Sequence, residues 1–125
     1  MTIREVEVIQ QDPITAVARF VGEHDLSTSD ERDALLQRLV GDNDLVVIDL
    51  HDATFIDSSF LHSLAKADRS ARNRQSTVQV QLGLNSGVEQ TLRISGLLTH
   101  LEILAPPEAL APPSPLPEDF TQAVA

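Results

Sequence analysis

The chain has 125 residues, of which 42% are hydrophobic and 22% are charged, a composition typical of one soluble globular domain. Its formal net charge of −10 disfavours direct binding to a phosphate backbone or to an anionic lipid surface. The absence of cysteine excludes disulfides, thiolate nucleophiles and thiolate zinc sites. Residues 1–10 lack the apolar run of a secretory signal and no segment has the length and hydropathy of a membrane span, so we expect a cytoplasmic protein.

Alternating apolar and polar residues at the start of the chain predict two strands, over residues 3–8 and 14–21, joined by a turn at Asp12-Pro13. A loop is expected over residues 22–26. The spacing Thr28-x-x-Glu31 then has the form of a capping box and predicts a helix that starts near Thr28.

Gly41 is placed to end this first helix. The next segment, residues 45–50, is nearly continuous in apolar side chains, which is typical of a central strand buried on both faces. A second helix is predicted to begin at the tripeptide Asp57-Ser58-Ser59, where the period of the apolar residues lengthens.

Three further elements complete the pattern: a strand over residues 77–84, a helix over 85–96 and a strand over 101–104. The resulting order, β-β-α-β-α-β-α-β, predicts a single α/β domain. We expect a mixed sheet of four to five strands, with parallel pairs connected through helices that pack against it.

A change of composition marks the end of this domain. Six of the seven prolines fall within residues 106–117, and proline supports neither helix interiors nor central strands. We therefore expect a folded domain over residues 1–105 and a proline-rich, disordered tail over 106–125.

Signatures of catalysis are missing from the sequence. It contains neither a phosphate-cradling glycine loop nor a nucleophile elbow. The four histidines, His24, His51, His62 and His100, lack the spacing of a zinc site. Asp49, Asp52 and Asp57 surround the end of the central strand, but helix capping and solvated loop positions explain them more simply than a magnesium site. We expect no enzyme activity, no metal and no cofactor.

The segment Asp57-Ser58-Ser59 admits two interpretations. In the simpler one, Asp57 or Ser58 is the N-cap of the second helix. In the other, a serine hydroxyl in the first turn of a helix, after the carboxyl end of a strand, is a site where a phosphoryl group is tolerated and alters a docking surface.

The sequence resembles a known family at this point. Residues 45–50 followed by 55–61 are similar to the central strand and phosphoacceptor loop of STAS domains, specifically of bacterial anti-sigma factor antagonists. The pieces Gly22-Glu23-x-Asp25, Val88-x-x-x-Leu92 with Ser95-Gly96-Leu97, and Leu101-Glu102-Ile103 follow in the expected order, so that the resemblance covers about residues 3–105.

The resemblance implies a partner switch. In this family an anti-sigma factor that is also a serine kinase phosphorylates the serine after the aspartate, here Ser58 with Ser59 as the fallback. The unphosphorylated protein would bind that partner, and a phosphatase is a further candidate partner. The implied partner surface comprises Asp25, Asp57, Ser58, Ser59 and Phe60.

The chain departs from the family pattern at Phe60, since a glycine usually follows the two hydroxyl residues. A bulky side chain there is expected to restrict the approach of a kinase to Ser58. This departure leaves an alternative function open, that of a constitutive STAS interaction or scaffold module of a signalling or transport complex, with Ser58 as a helix cap only.

Overall fold

The fold is described from a computed structural model, which describes residues 5–96 and 101–104. The strands are β1 (Val6–Asp12), β2 (Thr15–Phe20), β3 (Gly22–His24), β4 (Leu45–Asp49), β5 (Ala53–Ile56), β6 (Thr77–Gln81) and β7 (Glu102–Leu104). The α-helices are α1 (Ser29–Asp42), α2 (Ser58–Asn73) and α3 (Ser86–Ser95), and a single 3-10 turn spans Leu26–Thr28. The predicted tail, residues 106–125, lies outside the described part of the chain.

A mixed five-stranded sheet organises the molecule, in the order β1-β2-β4-β6-β7. The β1–β2 pair is antiparallel and closes through the predicted turn, where the Ile14 amide donates to Asp12 Oδ1 at 2.9 Å. The other neighbouring pairs, β2–β4, β4–β6 and β6–β7, are parallel. The predicted α/β class with a mixed sheet is therefore confirmed.

A second, two-stranded sheet was not predicted. The segment expected to be a loop over residues 22–26 contains β3, which pairs in parallel with β5. Strands of three and four residues are too short to show a period of two in the sequence. This small sheet matters because β5 leads directly into α2.

The main core lies on one face of the five-stranded sheet. Val46 and Ile48 of β4 are fully buried, and they belong to the same apolar cluster as Leu36 of α1 and Leu64 of α2. The alternate residue Val47 is only half-buried. The expectation that β4 is buried on both faces was therefore wrong. The buried side chains of the described helices pack on the face of the sheet that carries Val46 and Ile48, and the other face is less buried.

The start of α1 also differs from the prediction. Thr28 occupies the N-cap position, but its side chain makes no capping hydrogen bond. The helix is entered from the 3-10 turn, which Asp25 caps, and Thr28 Oγ1 instead accepts a hydrogen bond from Arg32 Nη1 at 3.3 Å. The capping box is thus not formed, although the helix begins within one residue of Thr28.

The end of α1 differs as well, because Gly41 lies inside the helix. Asn43 is the C-cap, and its side-chain amide donates to the Leu39 carbonyl at 2.9 Å. This bond satisfies a carbonyl at the helix end, so that no left-handed glycine is needed there.

In α3 the prediction was correct: Asn85 caps the first turn and Gly96 ends the helix with φ of 78°.

None of the helices in the described ranges combines the length and hydropathy needed to cross a lipid bilayer.

Candidate functional site

The first turn of α2 is organised by Asp57. Its backbone is extended, with φ of −124° and ψ of −171°, and its carboxylate accepts from the amides of Ser59 and Phe60 at 2.9 and 3.3 Å. A carboxylate in this position satisfies free amides and complements the positive end of the helix dipole. The interpretation of Asp57 as the N-cap is confirmed.

The two serines that follow Asp57 have different environments. Ser58 is exposed, and its hydroxyl makes no hydrogen bond to another residue of the described ranges. Ser59 is half-buried; its hydroxyl donates to Asp57 Oδ1 at 2.5 Å and accepts from Arg32 Nη2 at 3.0 Å. Of the two hydroxyls, only that of Ser58 is presented to solvent without a protein partner among these residues.

Arg32 is a site residue that the sequence analysis missed. It is only 1% exposed although it lies on α1, far from the serines in the chain. Its Nε donates to Ser63 Oγ at 2.9 Å, and its Nη1 donates to the Asp25 carbonyl at 3.3 Å. A signal was present: Arg32 precedes Leu35, Leu36 and Leu39 at the spacing of one helix face, which places it on the buried side.

Hydroxyl groups connect the Arg32 guanidinium to carboxylates on either side. Ser59 links it to Asp57, and Ser63 donates to Asp33 Oδ1 at 2.5 Å. Lys66 Nζ donates to the other oxygen of Asp33 at 2.7 Å. Burial lowers the pKa of Arg32, and Asp33, Asp57 and Asp25 oppose that effect; a guanidinium remains charged in this setting. The arrangement holds α1 and α2 together beneath the turn Asp57-Ser58-Ser59.

Phe60 lies entirely in the core, with 0% of its surface exposed. Its ring packs edge-on against Phe20, with 5.1 Å between centroids, and lies 6.0 Å from the ring of His24. The expectation that its bulk stands beside Ser58 and restricts the approach of a partner is therefore corrected. The departure from glycine changes the core beneath the site rather than its surface.

Asp25 is exposed at the end of β3 and caps the 3-10 turn. Its Oδ1 accepts hydrogen bonds from the amide and the hydroxyl of Ser27 at 3.0 and 2.6 Å. Both bonds lower the pKa of Asp25, and the bond from the hydroxyl has the larger effect. Its carbonyl bonds the same guanidinium that holds Ser59. The structure thus connects Asp25 to the turn Asp57-Ser58-Ser59 through Arg32.

A cavity of about 600 Å³ lies beside Asp25. Its lining includes four carboxylate side chains, Glu5, Glu23, Asp25 and Glu31, together with Gly22, His24, Ser27 and Thr28. This rim has a strongly negative potential and favours contact with cationic groups. A smaller cleft of about 200 Å³ adjoins Ser58 and is lined by Ser58, Leu61, His62, Ala65 and Ser95.

Several large apolar side chains are exposed close to strand ends. Phe55 in β5 is 49% exposed, Leu26 after β3 is 71% exposed, and Leu84 after β6 is 64% exposed. Asn85, next to Leu84, donates to the Thr54 carbonyl at 3.4 Å and so holds the start of α3 against β5. Aromatic residues are enriched in protein interfaces, so the exposed Phe55 is available to a binding partner.

The aspartates after the central strand have separate partners. Asp52 forms an ion pair with Arg19, Asp49 accepts from the His51 amide at 2.9 Å, and Asp57 caps α2. Across residues 5–96 and 101–104, no group of three or more His, Asp or Glu side chains is arranged to hold a metal ion. Asp57 is thus a helix cap, as the sequence analysis expected, and His100 lies outside the described residues.

A protein-family model described as "Mlab, STAS domain" matches residues 8–105. The chain belongs to the STAS domain family. No curated protein matches this STAS domain significantly.

Solved structures show the same fold. The anti-sigma factor antagonist SpoIIAA in its unphosphorylated form has a TM-score of 0.70 at 17% identity, with 83% of this chain and 91% of that chain covered. The phosphorylated form of SpoIIAA from Bacillus has a TM-score of 0.64 at 17% identity, with 83% and 95% covered. An anti-sigma factor antagonist from Mycobacterium paratuberculosis has a TM-score of 0.70 at 19% identity, with 83% and 90% covered. This STAS domain therefore resembles anti-sigma factor antagonists in fold.

Proposed function

We propose that this STAS domain is an anti-sigma factor antagonist that works by partner switching. In the unphosphorylated state it binds an anti-sigma factor that is also a serine kinase, and thereby frees a sigma factor for transcription. Phosphorylation of Ser58 releases the partner, and a phosphatase resets the switch. The similarity to SpoIIAA and to the mycobacterial antagonist supports this choice of partner.

The observation that carries the proposal is the exposed hydroxyl of Ser58 at the first position of α2, which bonds no other residue within 5–96 and 101–104. In the transfer, Ser58 Oγ forms a bond to the γ-phosphorus of ATP, the bond from that phosphorus to the β–γ bridging oxygen breaks, and ADP leaves. The hydroxyl proton passes to a base on the kinase. The kinase supplies the nucleotide and the metal, so this protein acts as a substrate and a binding partner, not as an enzyme.

The surroundings of Ser58 explain how one phosphoryl group would act as a switch. The helix N-terminus tolerates the group, because the dipole favours negative charge there. The group adds about −1.5 to −2 charges next to Asp57 and near the exposed apolar side chain of Phe55. Burying a dianion in a contact that includes apolar surface carries a large desolvation cost, so the docked complex loses affinity.

Asp25 and the acidic cavity beside it complete the proposed partner surface, together with Asp57, Ser58 and Ser59. The exposed carboxylates of Asp25, Glu23 and Glu31 are complementary to cationic side chains of a partner. Phe60 is left out of the contact surface because its side chain is buried. A switch of this kind acts in the cytoplasm, where the sigma factor is found.

Binding and phosphorylation together test the proposal. Incubation with each anti-sigma serine kinase of the source organism and Mg-ATP is expected to add one phosphoryl group, and Ser58→Ala is expected to abolish it, as intact mass shows. Ser58→Asp is expected to weaken calorimetrically measured binding by at least ~2 kcal/mol, the scale of an interface hot spot.

A matched control places the same charge elsewhere. Thr77 is an exposed hydroxyl residue at the amino end of β6, beyond the carboxyl end of α2, whereas Ser58 is the first residue of α2. Thr77→Asp is expected to bind like the wild type. Equal affinity of Ser58→Asp and wild type, with no phosphorylation by any of these kinases, would support the constitutive scaffold module instead.

A further inference from the structure

The two adjacent serines of the acceptor turn differ because of a residue on another helix. Ser59 and Arg32 are 27 residues apart in the chain, and Arg32 Nη2 donates to Ser59 Oγ at 3.0 Å. The single proton of that hydroxyl is directed to Asp57 Oδ1 at 2.5 Å. The Ser59 hydroxyl is therefore engaged both as donor and as acceptor.

Arg32 is itself held in place from several directions. Its Nε donates to Ser63 Oγ at 2.9 Å, one helical turn beyond Ser59, and its guanidinium carbon lies 5.2 Å from the centroid of the Phe60 ring. With 1% of its surface exposed, water does not compete for these bonds. The guanidinium is thus a fixed donor, which restricts the Ser59 side chain to one orientation.

Ser58 has no comparable restraint. We propose that Arg32 is a positioning residue that determines which serine accepts the phosphoryl group, by withholding the Ser59 hydroxyl and leaving Ser58 as the available nucleophile. The covalent step is the transfer from ATP to a serine Oγ described above, with loss of the hydroxyl proton to the kinase. Ser59 Oγ is the poorer nucleophile, because the hydrogen bond from Arg32 Nη2 occupies one of its lone pairs and the side chain is half-buried. This selectivity rests on the proposed phosphorylation, whereas the restraint on Ser59 does not.

The restraint is tested without a kinase, by the Hα–Hβ scalar couplings of the two serines in solution NMR. In the wild type, Ser59 is expected to show one χ1 rotamer and Ser58 rotameric averaging. In Arg32→Met, which keeps an aliphatic chain over Phe60, Ser59 is expected to become averaged. Lys66→Met is the matched control, since it replaces a cation that bonds Asp33 and does not contact the Ser59 hydroxyl, and Ser59 should stay fixed in it.

The selectivity is tested by mapping the phosphorylation site with mass spectrometry, using the same anti-sigma serine kinases and Mg-ATP. The ratio of modified Ser59 to modified Ser58 is expected to rise about tenfold in Arg32→Met, the change that follows from loss of one charge-assisted hydrogen bond. Ser58→Ala alone is expected to accept almost no phosphate, and Ser58→Ala with Arg32→Met to recover modification at Ser59.

Arg32→Lys is a second variant, for use if Arg32→Met does not fold. Lysine keeps the buried charge but lacks the planar guanidinium that reaches Ser59 and Ser63 together. This variant is expected to shift the couplings and the site ratio in the same direction, by a smaller amount. A fixed Ser59 rotamer in both variants would overturn the inference. An unchanged ratio of modified Ser59 to modified Ser58, in variants whose NMR spectra are those of a folded protein, would also overturn it. If the couplings change as expected but no kinase modifies the wild type, the proposed function fails while Arg32 keeps its role in positioning Ser59.

Discussion

The guanidinium carbon of Arg32 lies 5.2 Å from the centroid of the Phe60 ring, so that a buried cation and a buried aromatic ring pack against each other where α1 meets α2. Contacts of this kind add to stability most when they are removed from water. Phe60 also packs edge-on against Phe20. The turn Asp57-Ser58-Ser59 therefore lies directly on the core, and its geometry depends on the packing below it.

Phe60→Ala is expected to destabilise the domain by about 3–5 kcal/mol, the usual cost of removing a buried phenylalanine. Phe55→Ala is the matched control: Phe55 is 49% exposed, whereas Phe60 is 0% exposed, so its loss should change stability by less than about 1 kcal/mol. Urea unfolding followed by circular dichroism measures both. Phe60→Gly, although it restores the residue usual in the family, is expected to destabilise at least as much as Phe60→Ala. If Phe60→Ala left the free energy of unfolding unchanged, that result would contradict the packing of Phe60 in the core.

His24 is expected to make stability depend on pH. It is 2% exposed and its Nε2 lies 2.9 Å from the Val21 carbonyl. Burial is the main cause that lowers the pKa of His24, and Arg32 lowers it further, against the opposing effects of the Val21 carbonyl, Glu5 and Asp25. Below the unfolded-state pKa of ~6.5, the unfolded chain binds more protons at this residue than the folded protein. Stability should therefore fall as pH decreases from ~6.5 towards the folded-state pKa.

The contribution of one histidine has an upper limit of about 1.4 kcal/mol per pH unit. His24→Leu is expected to flatten the dependence of unfolding free energy on pH between about 6.5 and 5, whereas substitution of the exposed His62 by Gln should leave the slope as in the wild type. Urea titrations at several pH values measure these slopes. An identical slope in His24→Leu and wild type would show that His24 is not responsible.

Substitution of alanine for glycine is expected to lower stability at one position and to raise it at another. A Cβ at Gly83 would lie 2.5 Å from the His51 carbonyl oxygen and 2.6 Å from the His51 Cα. Because these are backbone atoms at the end of the central strand, Gly83→Ala should destabilise by roughly 1–3 kcal/mol through overpacking. At Gly41, inside α1, the nearest atom to an added Cβ is Arg74 Nη1 at 3.4 Å. Gly41→Ala should raise stability by up to about 1 kcal/mol, since alanine favours helix. Thermal melts of the two variants check both signs.

Deletion of residues 106–125 tests the domain boundary, which lies outside the described part of the chain. With six prolines, this segment is unsuited to a helix or to a central strand, so we expect an unchanged Tm. A decrease of more than about 4–8 °C, which corresponds to ~1 kcal/mol for a domain of this size, would show that Leu110, Leu116, Phe120 or Val124 packs on the fold.

Much of the fold follows from local patterns in the sequence. The turn at Asp12-Pro13, the start of α2 after Asp57, and the capped and glycine-terminated α3 depend on residues within four positions of one another. Hydrogen bonds between residues this close in the chain can be predicted from short sequence motifs. The resemblance to STAS domains predicts Ser58 as the phosphorylation site from a local motif of the same kind, because the aspartate and both serines are contiguous.

Tertiary structure alone decided the features that distinguish Ser58 from Ser59. The Arg32 bonds to Ser59 and Ser63 join residues 27 and 31 positions apart, and the pairing of β3 with β5 joins two strands too short to show a period. The inward orientation of Phe60 is likewise set by contact with Phe20, which lies on a distant strand. Such contacts depend on how the helices and sheets pack in three dimensions, and spacing along the chain does not encode them. The sequence by itself therefore determined where the turn Asp57-Ser58-Ser59 lies, and the packing of α1 against α2 decided that, among the described residues, Ser59 bonds Arg32 and Ser58 does not.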